Sequence, residues 1–81
     1  MNITILYFAA LREIAGANSD SLALEDLVEP TVEGVFRVLC ERHPGLERVR
    51  NHVRPALNQE FVSFEAEVGD GDEIAFIPPV S

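Results

Sequence analysis

The sequence predicts an α+β fold, a mixed sheet of about four or five strands packed as a roll on one main helix. Three observations carry this. The chain opens and closes on short apolar segments that alternate in the manner of strands, Asn2–Phe8 and Glu73–Ile77. A single sustained helical periodicity lies between them, beginning at Thr31. Pro55–Val62 has the form of a tight hairpin, with Asn58-Gln59 at its turn.

In chain order, Asn2–Phe8 (NITILYF) is rich in β-branched and aromatic residues, which suit a pleated surface. Alternation puts Ile3, Ile5 and Tyr7 on one face and Thr4, Leu6 and Phe8 on the other. Both faces are largely apolar, so this strand belongs in the middle of the sheet. Ala9–Ala15 consists of good helix formers and stops at Gly16, a short helix with a glycine C-cap. Asn18-Ser19-Asp20 is turn chemistry, and Ser21–Glu25 reads as a second strand antiparallel to the first. Thr31 caps the main helix, with Glu33 favouring the positive end of its dipole. Val32, Val35, Phe36, Leu39 and Cys40 form one apolar stripe. Gly34 weakens a helix by about 1 kcal/mol relative to alanine, which points to close backbone packing there. His43-Pro44-Gly45 ends the helix, and Leu46–Val53 reads as a loop with a short helical turn. Gly69-Asp70-Gly71-Asp72 is a tight turn into the final strand, Glu73–Ile77, which Pro78-Pro79 terminates. That last strand is also placed centrally.

Composition narrows the function classes. With 14 acidic residues against 6 arginines, no lysine and a net charge of −8, the chain is repelled by phosphate backbones and anionic lipids, so neither nucleic acid nor membrane is expected as a partner. Five of the six arginines lie between Arg37 and Arg54, while Glu60 to the end holds acids and no base. Met1-Asn2-Ile3-Thr4 carries no basic leader, and no apolar run approaches about 18 residues, so a cytoplasmic protein is expected. Cys40 is the only cysteine, which excludes an internal disulfide, and its place in the apolar stripe makes it a small buried hydrophobe. His43 and His52 do not complete a set of three or four ligands, so no metal site is expected. Gly69–Asp72 precedes a strand, whereas a phosphate loop needs a helix to aim its amides. No pair of carboxylates is singled out for acid–base work.

The informative feature is the end of the chain. If Ile74 and Phe76 face the core, Ala75 and Ile77 face outward beside Leu6 and Phe8, and with Phe61 they make an apolar patch open to water unless the first helix covers it. Pro78-Pro79-Val80-Ser81 cannot pair as sheet and would extend as a stiff tail. Residues 1–81 are expected to form a single domain with 78–81 as the start of that tail. An exposed apolar face beside a projecting end has the anatomy of a carrier.

Gly71–Ser81 (GDEIAFIPPVS) resembles the C-terminal signature of the small, sulfur-carrying subunits of molybdopterin synthase. Ile5–Glu13 (ILYFAALRE) and Ala56–Val62 (ALNQEFV) resemble the same family in the same order, so the likeness spans nearly the whole chain. The resemblance implies a ubiquitin-like β-grasp fold. It also implies two partners, an E1-like adenylating enzyme and the large synthase subunit. The first uses ATP to activate a terminal glycine carboxylate, which a sulfur donor converts to a thiocarboxylate. The second receives the tail, whose sulfur passes to a pyranopterin precursor; no cofactor is bound by the carrier itself. Phe8, Phe61 and Ile77 match interface positions, Arg12 matches a position beside the partner, and Pro78, Pro79, Val80 and Ser81 match the inserted segment. The family carries Gly-Gly directly after this motif, and residues 1–81 depart from that pattern in lacking it, so no catalytic group is assigned within 1–81. The alternatives are a carrier of the same fold for the thiazole of thiamine and a β-grasp binding or protein-modifying module without a sulfur role.

Overall fold

The computed structural model describes residues 1–78. Strand β1 (Asn2–Tyr7) leads into helix α1 (Ala10–Ala15), strand β2 (Ser19–Ala23) and a 3₁₀ turn at Leu24–Asp26. Helix α2 (Val32–Arg42) and a 3₁₀ segment (Pro44–His52) follow, then β3 (Arg54–Leu57), β4 (Glu60–Phe61) and β5 (Glu73–Ile77). The five strands form one sheet in the order β2-β1-β5-β3-β4. Strand β5 is central with β1 and β3 beside it; β1 and β5 are parallel, and the remaining pairs are antiparallel. The predicted mixed sheet and the central placing of the first and last strands both hold.

One face of the sheet packs on α2. Ile3, Ile5 and Tyr7 of β1 and Ile74 and Phe76 of β5 are buried against Val35, Phe36 and Leu39. The Phe36 ring meets Phe76 and Phe64 edge-on, with centroids 5.1 Å and 5.8 Å away. Such geometry sets positive ring edges against negative ring faces. Thr31 caps α2 as expected, its hydroxyl accepting from the Gly34 N–H at 3.1 Å. Gly34 is needed for close approach, because a Cβ there would lie 2.0 Å from the Glu29 carbonyl oxygen.

Four expectations are corrected. The second strand begins at Ser19 rather than Ser21 and ends at Ala23, because its ladder to β1 runs from Leu6↔Ser19 to Asn2↔Ala23 and leaves Leu24 and Glu25 to the 3₁₀ turn. Asp20, read as turn, sits in that strand because Tyr7, Arg42 and His43 all hydrogen-bond its carboxylate. The stretch after α2 is a nine-residue 3₁₀ segment, held down by buried Leu46, rather than a loop with one turn. Cys40 is half-buried, not buried, because it falls at the edge of the stripe.

Candidate functional site

The face of the sheet opposite α2 follows from alternation along β5. Ile74 and Phe76 take the core, so Ala75 and Ile77 point the other way. Ala75 is level with Leu6 on β1 and with Ala56 on β3, and these small and medium side chains make a floor. Phe8 and Phe61 stand at its two sides, 37% and 57% exposed. The result is a shallow apolar depression of about 310 Å³, with Gln59 and Glu73 at the end where β5 begins. Helix α1 does not cover it, since Leu11 anchors that helix in the core instead.

Local backbone geometry sets both aromatic walls. Ala9 adopts φ 51°, ψ −127°, a conformation suited to glycine, and turns the chain sharply between Phe8 and α1. On the other side Asn58 and Gln59 have φ 50° and 73°, the positive pair that a type I′ hairpin turn requires. Asn58 also ties the hairpin to β5. Its side-chain amide donates to Asp72 at 3.0 Å, and its side-chain oxygen accepts from the Glu73 N–H at 3.0 Å. The Asn58 hydrogen bond and the Gly69 N–H hold the Asp72 carboxyl below the ordinary carboxylate range.

Phe8, Phe61 and Ile77, expected as partner contacts, are therefore brought to one face. Arg12 joins them, its Nε donating to the Tyr7 carbonyl at 3.1 Å and its guanidinium lying 5.8 Å from the Phe8 ring centroid. Pro78 follows directly, half-buried. Pro79, Val80 and Ser81, expected in the inserted tail, lie outside the described residues. One residue of the face was missed from the sequence. Arg54 stacks on Phe61, its guanidinium carbon 4.1 Å from the ring centroid. The signal was present, because Arg54 and Ala56 alternate onto the same face.

A second polar cluster sits at the β2 edge, away from this face. Asp20 accepts from the Tyr7 hydroxyl and the His43 ring, both at 3.0 Å, and from Arg42 at 3.3 Å. Desolvation works to raise the Asp20 pKa, but the bonds from His43 and Tyr7 and the field of Arg42 outweigh it, so its carboxyl sits below the ordinary value. Burial, then the bond to Asp20, pushes the Tyr7 phenol well above its usual pKa, so it serves as a fixed donor. Among the described residues, no group of three or more His, Cys, Asp or Glu is placed to hold a metal, and no helix is long and apolar enough to cross a membrane.

The profile of the ThiS family matches residues 5–81. The molybdopterin synthase sulfur carrier subunit of Chlamydomonas reinhardtii is 40% identical, with 100% of this chain and 98% of that protein covered. The human protein of the same name is 37% identical, with 98% and 91% covered. Among solved structures, SAMP1 from Haloferax volcanii superposes with a TM-score of 0.86 at 29% identity, covering 100% of this chain and 98% of that one. The fold is the ubiquitin-like β-grasp of the sulfur carriers, as the sequence resemblance implied. The match takes in both aromatic walls, the small-residue floor and the strand that leads to the tail, and this chain belongs to the ThiS family.

Proposed function

We propose that this chain is the sulfur carrier of molybdopterin synthesis, the small subunit that presents sulfur on its C-terminus to a large synthase subunit. The observation that carries the reading is the course of β5. It crosses the centre of an exposed apolar face and continues into the Pro-Pro motif, on a chain that aligns over its full length with proteins named as such carriers. The same strand thus supplies both the docking surface and the root of the delivered segment. A large subunit that covers Phe8, Phe61 and Ile77 desolvates them and fixes the direction in which the tail leaves. Pro78 and Pro79, with φ fixed and no N–H to donate, suit a segment threaded into a partner rather than paired in a sheet. An E1-like enzyme using ATP would adenylate the terminal carboxylate before sulfur is loaded. The proposed compartment is the cytoplasm.

The test uses the chain carried to a Gly-Gly terminus, incubated with the activating enzyme, ATP and a sulfur source. Intact mass should rise by the replacement of one oxygen by one sulfur, and omission of ATP should abolish the gain. An unchanged mass with a competent activating enzyme rejects the reading. Co-purification with a thiazole synthase instead of the large subunit would assign the chain to thiamine synthesis.

A second reading has its own support, because SAMP1 of Haloferax volcanii, whose structure superposes on this chain, is a small archaeal modifier protein. That reading predicts covalent conjugates of the tail with lysines of other proteins. This chain has no lysine, so chains of itself linked through side-chain amines cannot form. Immunoblotting for such conjugates separates the two functions.

A further inference from the structure

The charged residues around the apolar face are not placed at random. Arg37 and Arg50 both pair with Glu33, and Arg42 pairs with Asp20. Among the described residues, no carboxylate lies within 4.0 Å of the guanidinium groups of Arg12, Arg48 or Arg54, in a chain with 14 acids. Arg48 is on the 3₁₀ segment, but Arg12 and Arg54 are both at the face, each against one of its exposed aromatic rings. They also share one end of it. Arg54 is paired with Ile77 across the β3–β5 ladder. Phe8, under Arg12, comes one residue after the Tyr7↔Phe76 pair, as Ile77 does. Two guanidinium groups thus flank the point where β5 passes into Pro78, while Glu73 marks the opposite end.

We infer that Arg54 is a specificity-determining contact that, with Arg12, receives carboxylates on the large subunit at the rim of the opening that takes the tail. The inference rests on the reading of the apolar face as the docking surface. The Arg54 guanidinium carbon lies 4.1 Å from the Phe61 ring centroid, and this cation–π contact restrains the side chain, so less of its freedom remains to be lost on binding. A planar fork held this way matches a carboxylate through two parallel hydrogen bonds. An apolar centre with a charged rim is the usual anatomy of a protein interface, and charge at one end fixes the orientation of docking. The arginines also give an otherwise acidic molecule one end that an acidic partner can approach.

The test is calorimetric titration with the large subunit over a range of salt concentrations. Arg54→Gln removes the charge, Arg54→Lys keeps it, and Arg48→Gln removes an equal charge away from the face. Arg54→Gln should raise Kd about tenfold and flatten its dependence on salt. Arg54→Lys keeps the charge but loses the planar fork, so it should retain the salt dependence while its Kd falls between those of the native chain and Arg54→Gln, and Arg48→Gln should match the native chain. If Arg54→Gln behaves as Arg48→Gln does, or if Arg54→Lys binds as tightly as the native chain, the inference is overturned. Phe8→Asp keeps the two levels apart. If it abolishes binding while Arg54→Gln does not weaken it, only the arginine contact fails; native affinity in Phe8→Asp removes the docking face itself.

Discussion

Phe8 and Phe61 are costly side chains to leave in water, since burying one fully is worth about 1.5–3 kcal/mol, and the fold leaves both exposed on one face. That cost is recovered only when something covers them. Phe8→Asp should therefore weaken large-subunit binding by at least about 2 kcal/mol, the scale of an interface hot spot, while circular dichroism shows the fold intact. Ala9, next in the chain, carries a backbone conformation that costs a non-glycine residue on the order of 1–3 kcal/mol. Glycine removes that strain but brings back up to about 1 kcal/mol of unfolded-state entropy. Ala9→Gly should thus gain about 1 kcal/mol in denaturant unfolding, and a loss would show that the bend is not strained.

Among the elements, β5 is the organising strand. It is parallel to β1 and antiparallel to β3, so every residue of the apolar floor is registered against it. Its start is fixed by Asn58 from the hairpin, through Asp72 and Glu73. Asn58→Ala removes two side-chain hydrogen bonds and places alanine at a positive φ. It should cost roughly 1–3 kcal/mol of stability by chemical denaturation, and should weaken partner binding further than that loss explains, because Phe61 rides on the same hairpin. Equal affinity at conditions where the variant is fully folded would show that the clamp serves stability alone. The hairpin was legible in Asn58-Gln59, but the clamp was not, since its partners lie 14 and 15 residues away. The 3₁₀ segment was missed for a similar reason. Tertiary burial of Leu46 sustains it beyond what local propensity supports.

For the whole molecule, the Asp20 cluster links the edge strand to the C-terminal end of α2. Asp20 has a folded pKa below its ordinary value of 3.8, so its contribution is fully present above that pH and is lost as acid takes the solution through the lower, folded value. Asp72 acts in the same direction. Unfolding free energy should thus fall on acidification below about pH 4. Asp20→Asn should be less stable at neutral pH and show a shallower acid limb; an unchanged limb would mean the cluster contributes nothing. The sequence by itself determined the strand at each end, the capped amphipathic helix, the hairpin and the apolar wall residues Phe8, Phe61 and Ile77, because period-2 and period-3.6 patterns are local and face-specific. Only the tertiary structure decided that Arg54 stacks on Phe61, that Asp20 leaves its turn for a strand and that Asn58 locks the hairpin to β5. Each of these depends on a side chain finding a partner far along the chain, and no local pattern encodes which distant groups the folded sheet will bring within a few ångströms.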